Sequence, residues 1–432
     1  MENTVNDLLD FIKFSATPYH TVKNAEEMLL KAGFKPLAMT DKWELSRGQG
    51  YYTKIYGSAL IAFTAGKGDF TGKNKLRLAC AHTDFPCLRL KPAASMEKGK
   101  YGILNIETYG GLILNSWLDR PLSLAGKVVL KGNNPLEPET RLIDLARPLV
   151  TIPNLAIHMN RKVNEGIAIK KQKDILPLAA VLGEEKNQGF FADFLAREMD
   201  CQKEDVLSYE LSLYPYEAGC QLGLNGELIS SPRLDNLTSV VACLKGIISA
   251  REHAEGDGLS IIALFDNEEI GSRTKQGANS GILLQILERI YSASGYSREE
   301  MWQAVNGGFM LSVDVAHGLH PDYMEKADPT NRPVLNGGVV LKQAASQAYA
   351  GDAEAVAIIA GLCQQEAICY QQFVNNNDIP GGSTLGSMAS ALVPMRAMDI
   401  GVPILAMHSA RETMGARDQE HLNNLLQAFF MA

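Results

Sequence analysis

The sequence has few of the features that mark secreted, membrane-embedded or disulfide-rich proteins. Its seven cysteines in 432 residues are odd in number and form no C-x-x-C pair, so they indicate neither a disulfide framework nor a zinc ribbon. No apolar run approaches the ~20 residues that a transmembrane helix needs, and the N-terminal residues lack the regions of a signal peptide. We therefore expect a cytoplasmic protein with no membrane partner.

An excess of basic residues is also missing. The chain carries 41 Lys and Arg against 49 Asp and Glu, a formal net charge of −8, whereas nucleic-acid-binding proteins usually present a basic surface. We expect no nucleic-acid partner. The composition is 46% hydrophobic and 21% charged, which excludes disordered and fibrous classes, and the length is typical of two to four domains at roughly 100–200 residues each.

Three common catalytic motifs are absent. There is no H-E-x-x-H, residues 66–74 lack the Walker spacing, and GGSTLG at 381–386 is not the G-x-S-x-G of serine hydrolases. An ordinary flexible turn is one interpretation of GGSTLG. The other is a loop that brings backbone amides near a substrate, and on that interpretation Gly382 and Ser383 are candidate substrate-binding residues.

The order of predicted elements is typical of an α/β sheet interrupted by an insertion. Apolar runs that predict strands alternate with helical periodicity in the first part of the chain and again after Ser231. Between about Pro92 and Ser231, short β-like runs lie among glycine, proline and charged turns. We predict a discontinuous α/β domain over 1–92 and 232–432, interrupted by a β-rich insertion domain over 93–231.

Polar side chains follow four of the predicted strands. They are His82, the segment Asp266–Glu269, Asp314 and His408. Because ligands in open α/β sheets bind outside the carboxyl ends of the strands, these residues are expected to converge there.

Each fragment has an unremarkable interpretation when taken alone. His82 and Asp84 fit a metal ligand oriented by a carboxylate, but also a hydrogen-bonded histidine at a strand end. Asp235 fits a ligand or a helix N-cap. The adjacent carboxylates Glu268 and Glu269 repel each other unless a cation lies nearby.

Taken together, the fragments predict a metal site. If the Glu268–Glu269 segment is extended, its side chains point apart, which leaves one as a ligand and one as an acid or base. Two histidines and at least three carboxylates form the nitrogen and oxygen set that suits zinc and related divalent metals.

At these segments the sequence resembles the aspartyl aminopeptidase family of dinuclear zinc exopeptidases. The resemblance covers nearly the whole chain and is carried by ordered segments, among them AHTDFPCLRLKP, IPNLAIHMNR, SPRLDNL, FDNEEIGSR, SVDVAHGLHPDYMEKADP, NRPVLNGGVVLK, GGSTLG and MHSARETMG. It implies a mixed-sheet zinc-exopeptidase catalytic domain that is interrupted by a β-rich insertion or oligomerisation domain.

The resemblance also implies roles for individual residues. One metal would be held by His82, Asp235 and Asp314, and the other by Asp235, Glu269 and His408, with Asp235 bridging. Glu268 would be the general base and Asp84 would orient His82. The expected cofactors are two divalent ions per chain, zinc first, with cobalt or manganese as alternatives.

The resemblance further implies a hollow homo-dodecamer, and His158 in IPNLAIHMNR matches a family histidine that reaches a neighbouring subunit's active site. Lys342 matches a position suited to an acidic substrate side chain, although a lysine after an apolar strand is often a surface residue. Two positions depart from the family pattern. Pro121 replaces a carboxylate, and Ala348 replaces an arginine found in members that prefer acidic residues, so the preferred first residue stays open between an acidic one and a broader set.

The leading hypothesis is a metalloaminopeptidase that removes the N-terminal residue from short peptides. A dimetal carboxypeptidase or N-acyl-amino-acid deacylase is the alternative, because the same metal core serves either end of a substrate. A non-enzymatic peptide-binding assembly protein is the third hypothesis.

Overall fold

The structure is a computed structural model that describes residues 2–166, 168–183, 189–253 and 256–432. Its contacts divide the chain into two compact units. The first contains Met1–Asp84, Gly219–Met407 and Glu412–Ala432, and the second contains Phe85–Ala218 and His408–Arg411. Among the described residues, no helix has the length and apolar character needed to cross a bilayer.

The first unit is built on a nine-stranded mixed sheet. In spatial order its strands are Lys35–Pro36, Gly50–Ile55, Ala59–Ala65, Leu259–Phe265, Leu76–His82, Phe309–Val313, Arg396–Gly401, Val339–Lys342 and Tyr370–Phe373. The four strands from Leu259–Phe265 to Arg396–Gly401 run parallel. Their carboxyl ends therefore lie along one edge of the sheet.

Helices cover this sheet. They are Glu2–Phe14, Pro18–Lys31, Leu234–Glu252, Ile282–Ala293, Arg298–Gly307, Ala353–Gln365, Leu385–Leu392 and Asp418–Met431, with the 3₁₀ helices Glu268–Ile270 and Met324–Lys326. Ile282–Ala293 shows how they pack, because Leu283, Ile286, Leu287 and Ile290 recur at helical spacing and are buried. They join the core that includes Phe63, Ile261 and Ala263 of the central strands.

A second, five-stranded sheet belongs to the same unit. Its strands, in spatial order, are Cys220–Leu222, Leu228–Ser231, Glu412–Gly415, Pro403–Leu405 and Ala316–His317. Ser231 pairs with Glu412 in antiparallel register. This pairing places the end of the Leu228–Ser231 strand, just before Asp235, beside the start of the Glu412–Gly415 strand.

The second unit contains a six-stranded antiparallel sheet. Its strands, in spatial order, are Glu137–Asp144, Leu122–Asn134, Val206–Pro215, Cys87–Lys98, Tyr101–Tyr109 and Leu178–Val181. The helices are Lys171–Asp174 and Phe190–Met199, with 3₁₀ helices at Leu114–Trp117, Ile157–Met159, Val163–Glu165 and Lys203–Asp205. Trp117, Phe191 and Leu213 lie in its own apolar core.

The predicted fold class, a mixed α/β protein, is confirmed. The contact-defined units change at Asp84 and at Ala218, whereas the composition of the sequence changes near Pro92 and Ser231. The predicted domain bounds of 93–231 for the insertion stay a prediction.

Candidate metal centre

Parallel strands carry the first two predicted ligands to one edge of the nine-stranded sheet. His82 is the last residue of its strand and pairs with Phe265 of the neighbouring strand. On the other side, Ser312 pairs with Cys80, and Asp314 directly follows that strand. With this register Asp314 is level with His82, as the sequence predicts.

A tight turn presents the two adjacent glutamates. Asn267 has a left-handed backbone (φ 65°), and Glu268–Ile270 forms a 3₁₀ helix. The Asp84 carboxylate accepts the backbone N–H groups of Glu268 and Glu269, each at 3.1 Å. The expectation that this segment is extended is wrong, because the left-handed residue turns the chain directly after the strand. Asp84, rather than strand alternation, fixes the directions of both glutamates.

Asp235 lies at the start of the helix Leu234–Glu252, where the backbone is irregular. Arg233 has a positive φ of 62°, Asp235 itself has φ −78° and ψ 107°, and the peptide bond between Asp235 and Asn236 is cis. The backbone N–H of Asp235 donates to Glu412 Oε2 at 3.1 Å. The Asp235 carboxylate is therefore held on a short non-helical segment rather than serving as an N-cap.

The side chains meet around His82. Its Nε2 lies 3.4 Å from Asp235 Oδ1 and 3.5 Å from Asp314 Oδ1. Its Nδ1 lies 3.0 Å from the Asp84 backbone carbonyl oxygen and 3.4 Å from Asp84 Oδ1. A carbonyl oxygen can only accept, so Nδ1 is the donor and Nε2 faces the two carboxylates. Both contacts of Nδ1 come from Asp84, and its role in orienting His82 as a metal ligand stays a prediction.

One group of potential metal ligands stands out among the described residues. His82, Asp235 and Glu269 each offer one ligand atom, and these atoms lie within 4.8 Å of one another. One imidazole nitrogen and two carboxylate oxygens are a donor set that zinc accepts. Asp314 adjoins this group through His82, at the distance given above.

Electrostatics favour a cation in this group. Burial, together with the neighbouring carboxylates, raises the pKa of Glu268 to about 8 and the pKa of Glu269 well above its usual range. Burial alone would lower the pKa of His82, but hydrogen bonds with Asp235, Asp314 and Asp84 outweigh it and hold that pKa well above its ordinary value. A divalent cation would neutralise this concentration of negative charge, so the residues fit a metal ion.

A second buried carboxyl adjoins the glutamate turn. Burial raises the pKa of Asp266 to about 7, and the charge of Asp84 acts in the same direction. The Asp266 carboxylate accepts the backbone N–H of Asn267 at 2.7 Å. Asp266 therefore supports the turn that presents Glu268, and we assign it no ligand role.

His408 belongs to the second unit. It has a positive φ of 66°, and its Nδ1 lies 2.9 Å from the backbone oxygen of Gly111 in the same unit. Because that carbonyl accepts the Nδ1 proton, Nε2 of a neutral His408 carries the lone pair that a metal needs. Its role as a ligand stays a prediction.

The four predicted substrate-binding residues differ in exposure. His158 is exposed on the 3₁₀ helix Ile157–Met159 of the second unit, and Gly382 and Ser383 are exposed in a loop of the first unit. Lys342 is only 1% exposed, so its interpretation as a surface lysine is wrong. Their substrate contacts stay predictions.

Lys342 is held by groups of the protein itself. Its Nζ donates to the Val315 carbonyl oxygen at 3.2 Å and lies 5.3 Å from the centre of the Tyr349 ring. The buried carboxyl of Asp399 is close enough for the Lys342 charge to act on its pKa, although burial has the larger effect and raises that pKa.

Sequence reasoning gave no role to Glu412 or Asp399. Both are buried carboxyl groups, at 2% and 0% exposure. Glu412 lies in the quoted segment MHSARETMG, and a carboxylate at the start of a buried strand is the signal that could have drawn attention to it. Asp399 lies in the strand Arg396–Gly401, whose mixed polar and apolar residues give no clear pattern.

Comparison with known proteins identifies close relatives of the whole chain. The family model described as "Aminopeptidase I zinc metalloprotease (M18)" matches residues 11–430. A protein of Clostridium acetobutylicum named "Probable M18 family aminopeptidase 2" is 42% identical over 425 residues, covering 98% of this chain and 97% of the relative. A Streptomyces coelicolor protein of the same name is 39% identical over 426 residues, covering 98% and 96%.

Solved structures give the same result. The structure titled "Cryo-EM structure of the Ape4 and Nbr1 complex" matches with a TM-score of 0.95 and 32% identity, over 99% of this chain and 85% of that one. The structure of the S. cerevisiae mApe1 dodecamer matches with a TM-score of 0.85 and 25% identity, over 99% and 96%.

Proposed function

Because the chain belongs to the M18 family of zinc metalloaminopeptidases, we propose that it hydrolyses the peptide bond after the first residue of short peptides, with Glu268 as general base. These comparisons confirm the family that the sequence motifs resemble. The same comparisons favour an enzyme over the peptide-binding assembly protein. The observation that carries the mechanism is the pair of hydrogen bonds from Glu268 and Glu269 to Asp84.

The proposed ligands are those that the resemblance implies, and the grouping of His82, Asp235 and Glu269 supports three of them. His82, Asp235 and Asp314 would hold one zinc ion, and Asp235 and Glu269 would contribute to the second, with His408 as its remaining predicted ligand. Bound zinc would polarise the peptide carbonyl group and lower the pKa of a water molecule. Zinc in both sites is our proposal, with cobalt or manganese as possible replacements in vitro.

Glu268 is the residue that we propose to move the proton. Its backbone is fixed by Asp84 at 3.1 Å, and in the metal-free chain burial raises its pKa to about 8. A carboxylate that lies near the attacking water without binding a metal itself can take a proton from that water and deliver it to the leaving amine. The Asp84 carboxylate accepts the backbone N–H groups of both Glu268 and Glu269. This holds the backbone of the proposed base and that of the adjacent proposed ligand in fixed positions.

We propose that the peptide lies in a cleft of the first unit. The cleft has a volume of about 360 Å³ and is lined by His317, three residues after Asp314, and by Gly381, which precedes Gly382. Its size falls in the range of small-ligand sites. Phe373 and Ile379 also line it, which favours peptides with apolar side chains.

The first residue of the substrate is not restricted to Asp or Glu in this proposal. Lys342 already donates to Val315 and lies near the carboxyl of Asp399, so part of its charge is satisfied within the protein. Ala348 stands where acid-preferring relatives have arginine. We expect kcat/KM for Asp-headed and Leu-headed peptides to differ by less than about tenfold, a difference of ~1.4 kcal/mol in transition-state binding.

We also propose that the chain acts in the cytoplasm as a homo-dodecamer. The mApe1 structure that it resembles is a dodecamer. Around His158, the apolar side chains Leu155, Ile157 and Met159 are 54%, 48% and 69% exposed, and such a patch fits a surface that a second copy covers. Sedimentation of the purified protein gives its mass directly.

The decisive experiment compares two neighbouring substitutions. E268Q should retain zinc but lose turnover by about 10²–10⁴-fold, the contribution of a general base, whereas E269Q should lose zinc. Amino-acid release should stop with a chelator and return with zinc. Equal activity of E268Q and the wild type would refute the role of Glu268. Cleavage of N-acetylated peptides in preference to free-amine peptides would favour the deacylase or carboxypeptidase alternative.

A further inference from the structure

The backbone N–H of Asp235 is buried beside the proposed metal site and needs a hydrogen-bond acceptor. The first N–H groups of a helix have no partner within the helix, and Asp235 lies at such a start with non-helical backbone angles. It is 4% exposed, so water is a poor substitute for a protein acceptor. The position of Asp235 therefore depends on which group accepts this N–H.

That acceptor is Glu412, from a distant part of the chain. Glu412 begins the strand Glu412–Gly415, and its register with Ser231 brings it beside the segment that leads to Asp235. Its Oε2 accepts the Asp235 N–H at 3.1 Å across 177 positions of sequence. The contact links the strand Glu412–Gly415 to the start of the helix that carries Asp235.

Burying a carboxylate as the acceptor of the Asp235 N–H is energetically unfavourable unless its charge is offset. Glu412 is 2% exposed, and it adds a negative group to a region that already contains His82, Asp235 and Glu269. A bound cation offsets that charge, and a charged acceptor makes a stronger hydrogen bond than a neutral one. The arrangement suits a group that holds a ligand in place when the metal is bound.

We infer that Glu412 is a positioning residue for the metal centre, which holds the Asp235 carboxylate 3.4 Å from His82 Nε2 by fixing the Asp235 backbone. This inference rests on the proposed assignment of Asp235 as a metal ligand. Glu412 acts through Asp235 and is given no contact with the substrate. Loss of the hydrogen bond lets the Asp235 segment move away from His82 and weakens zinc binding.

The test measures zinc affinity by competition with a chelator, on purified full-length variants and without a peptide substrate. E412A removes the acceptor, and zinc affinity should fall by about 10–100-fold, as for other groups that orient metal ligands. E412Q keeps a carbonyl oxygen at the same reach, although this neutral acceptor makes a weaker hydrogen bond than the carboxylate, so zinc affinity should fall by no more than about threefold. T413V, at the next position of the same strand, is the matched control and should bind zinc normally.

E412D provides a second comparison if E412A does not fold. Its side chain is shorter by one carbon–carbon bond of about 1.5 Å, which breaks the contact while keeping the charge, so E412D should bind zinc more weakly than E412Q. Equal zinc affinity of E412Q and E412D, or of E412A and the wild type, would overturn the inference. D235N distinguishes a failure of the proposed ligand set from a failure of the inference about Glu412. If D235N binds zinc normally, the proposed ligand set is wrong. If D235N loses zinc affinity and E412A does not, only the role of Glu412 is overturned.

Discussion

Asp84 offers the sharpest test of how the proposed site is held together. Its carboxylate is fully buried and accepts two consecutive backbone N–H groups, those of Glu268 and Glu269. The substitution D84N preserves size and one acceptor oxygen. Its amide nitrogen then faces one of the two N–H groups, so a donor meets a donor in a buried place.

The expected magnitude follows from these contacts. A hydrogen bond to a charged group contributes about 1.5–3 kcal/mol, and a buried donor that loses its acceptor costs about 1–3 kcal/mol. D84N loses one of two such bonds, but it also removes a charge that repels Asp266, Glu268 and Glu269 in the metal-free chain. We therefore expect the free energy of unfolding to fall by about 1–3 kcal/mol. The glutamate turn and His82 are both contacted by Asp84, so zinc affinity should also fall by about 10–100-fold.

The assay combines denaturant unfolding of the metal-free chain with zinc affinity by chelator competition. D328N is the matched control, since Asp328 Oδ1 also accepts two consecutive backbone N–H groups, those of Thr330 and Asn331, but in a surface turn. D328N should leave zinc affinity unchanged. If D84N binds zinc as tightly as the wild type and unfolds at the same denaturant concentration, the anchoring role of Asp84 is refuted.

Three further predictions concern other parts of the chain. Burial raises the pKa of Asp418 from 3.8 to about 7, so the folded chain binds a proton that the unfolded chain releases; the stability from this group is fully present below about pH 4 and is lost as the pH rises through about 7. D418N should therefore flatten the decrease of Tm between about pH 4 and about pH 7. A Cβ at Gly401 would clash with the Asp314 backbone oxygen, so G401A should reduce the free energy of unfolding by about 1–3 kcal/mol and weaken zinc binding. H158A should lower kcat without loss of zinc, and mixing H158A with E268Q subunits should restore part of the activity if His158 acts across subunits.

Each of these predictions has its own control. For Asp418, an unchanged slope of Tm against pH in D418N would contradict the raised pKa. For Gly401, the control is G361A in the helix Ala353–Gln365, where an added Cβ meets no atom within 4 Å, so alanine should be tolerated. For His158, activity of the mixture no higher than that of H158A alone would contradict action in trans.

Long apolar runs made the central strands predictable from sequence. All residues of the strands Leu259–Phe265 and Phe309–Val313 are buried, and mainly apolar runs are typical of parallel strands covered on both faces. The ends of such runs also locate the first residues of the site. His82 and Asp314 were predicted in this way, and the pairing of their strands accounts for their meeting.

The local geometry of the site was less predictable. The turn at Glu268 depends on the left-handed Asn267 and on Asp84, whose contact with it spans 184 positions. Similarly, nothing near Glu412 in the sequence indicates that its partner is Asp235. Hydrogen bonds between distant segments decide these directions, and local periodicity carries no information on them.

The order of the strands along the chain determines when the proposed site can form during synthesis. His82 is made early, but Asp314 donates its backbone N–H to Ile400, and Asp235 relies on Glu412. A nascent chain emerging from the ribosome gains these late strands only when nearly all of it has been made. With the proposed ligand set, zinc binding and hydrolysis would therefore begin only when the chain is nearly complete, and incomplete chains would not cleave other peptides.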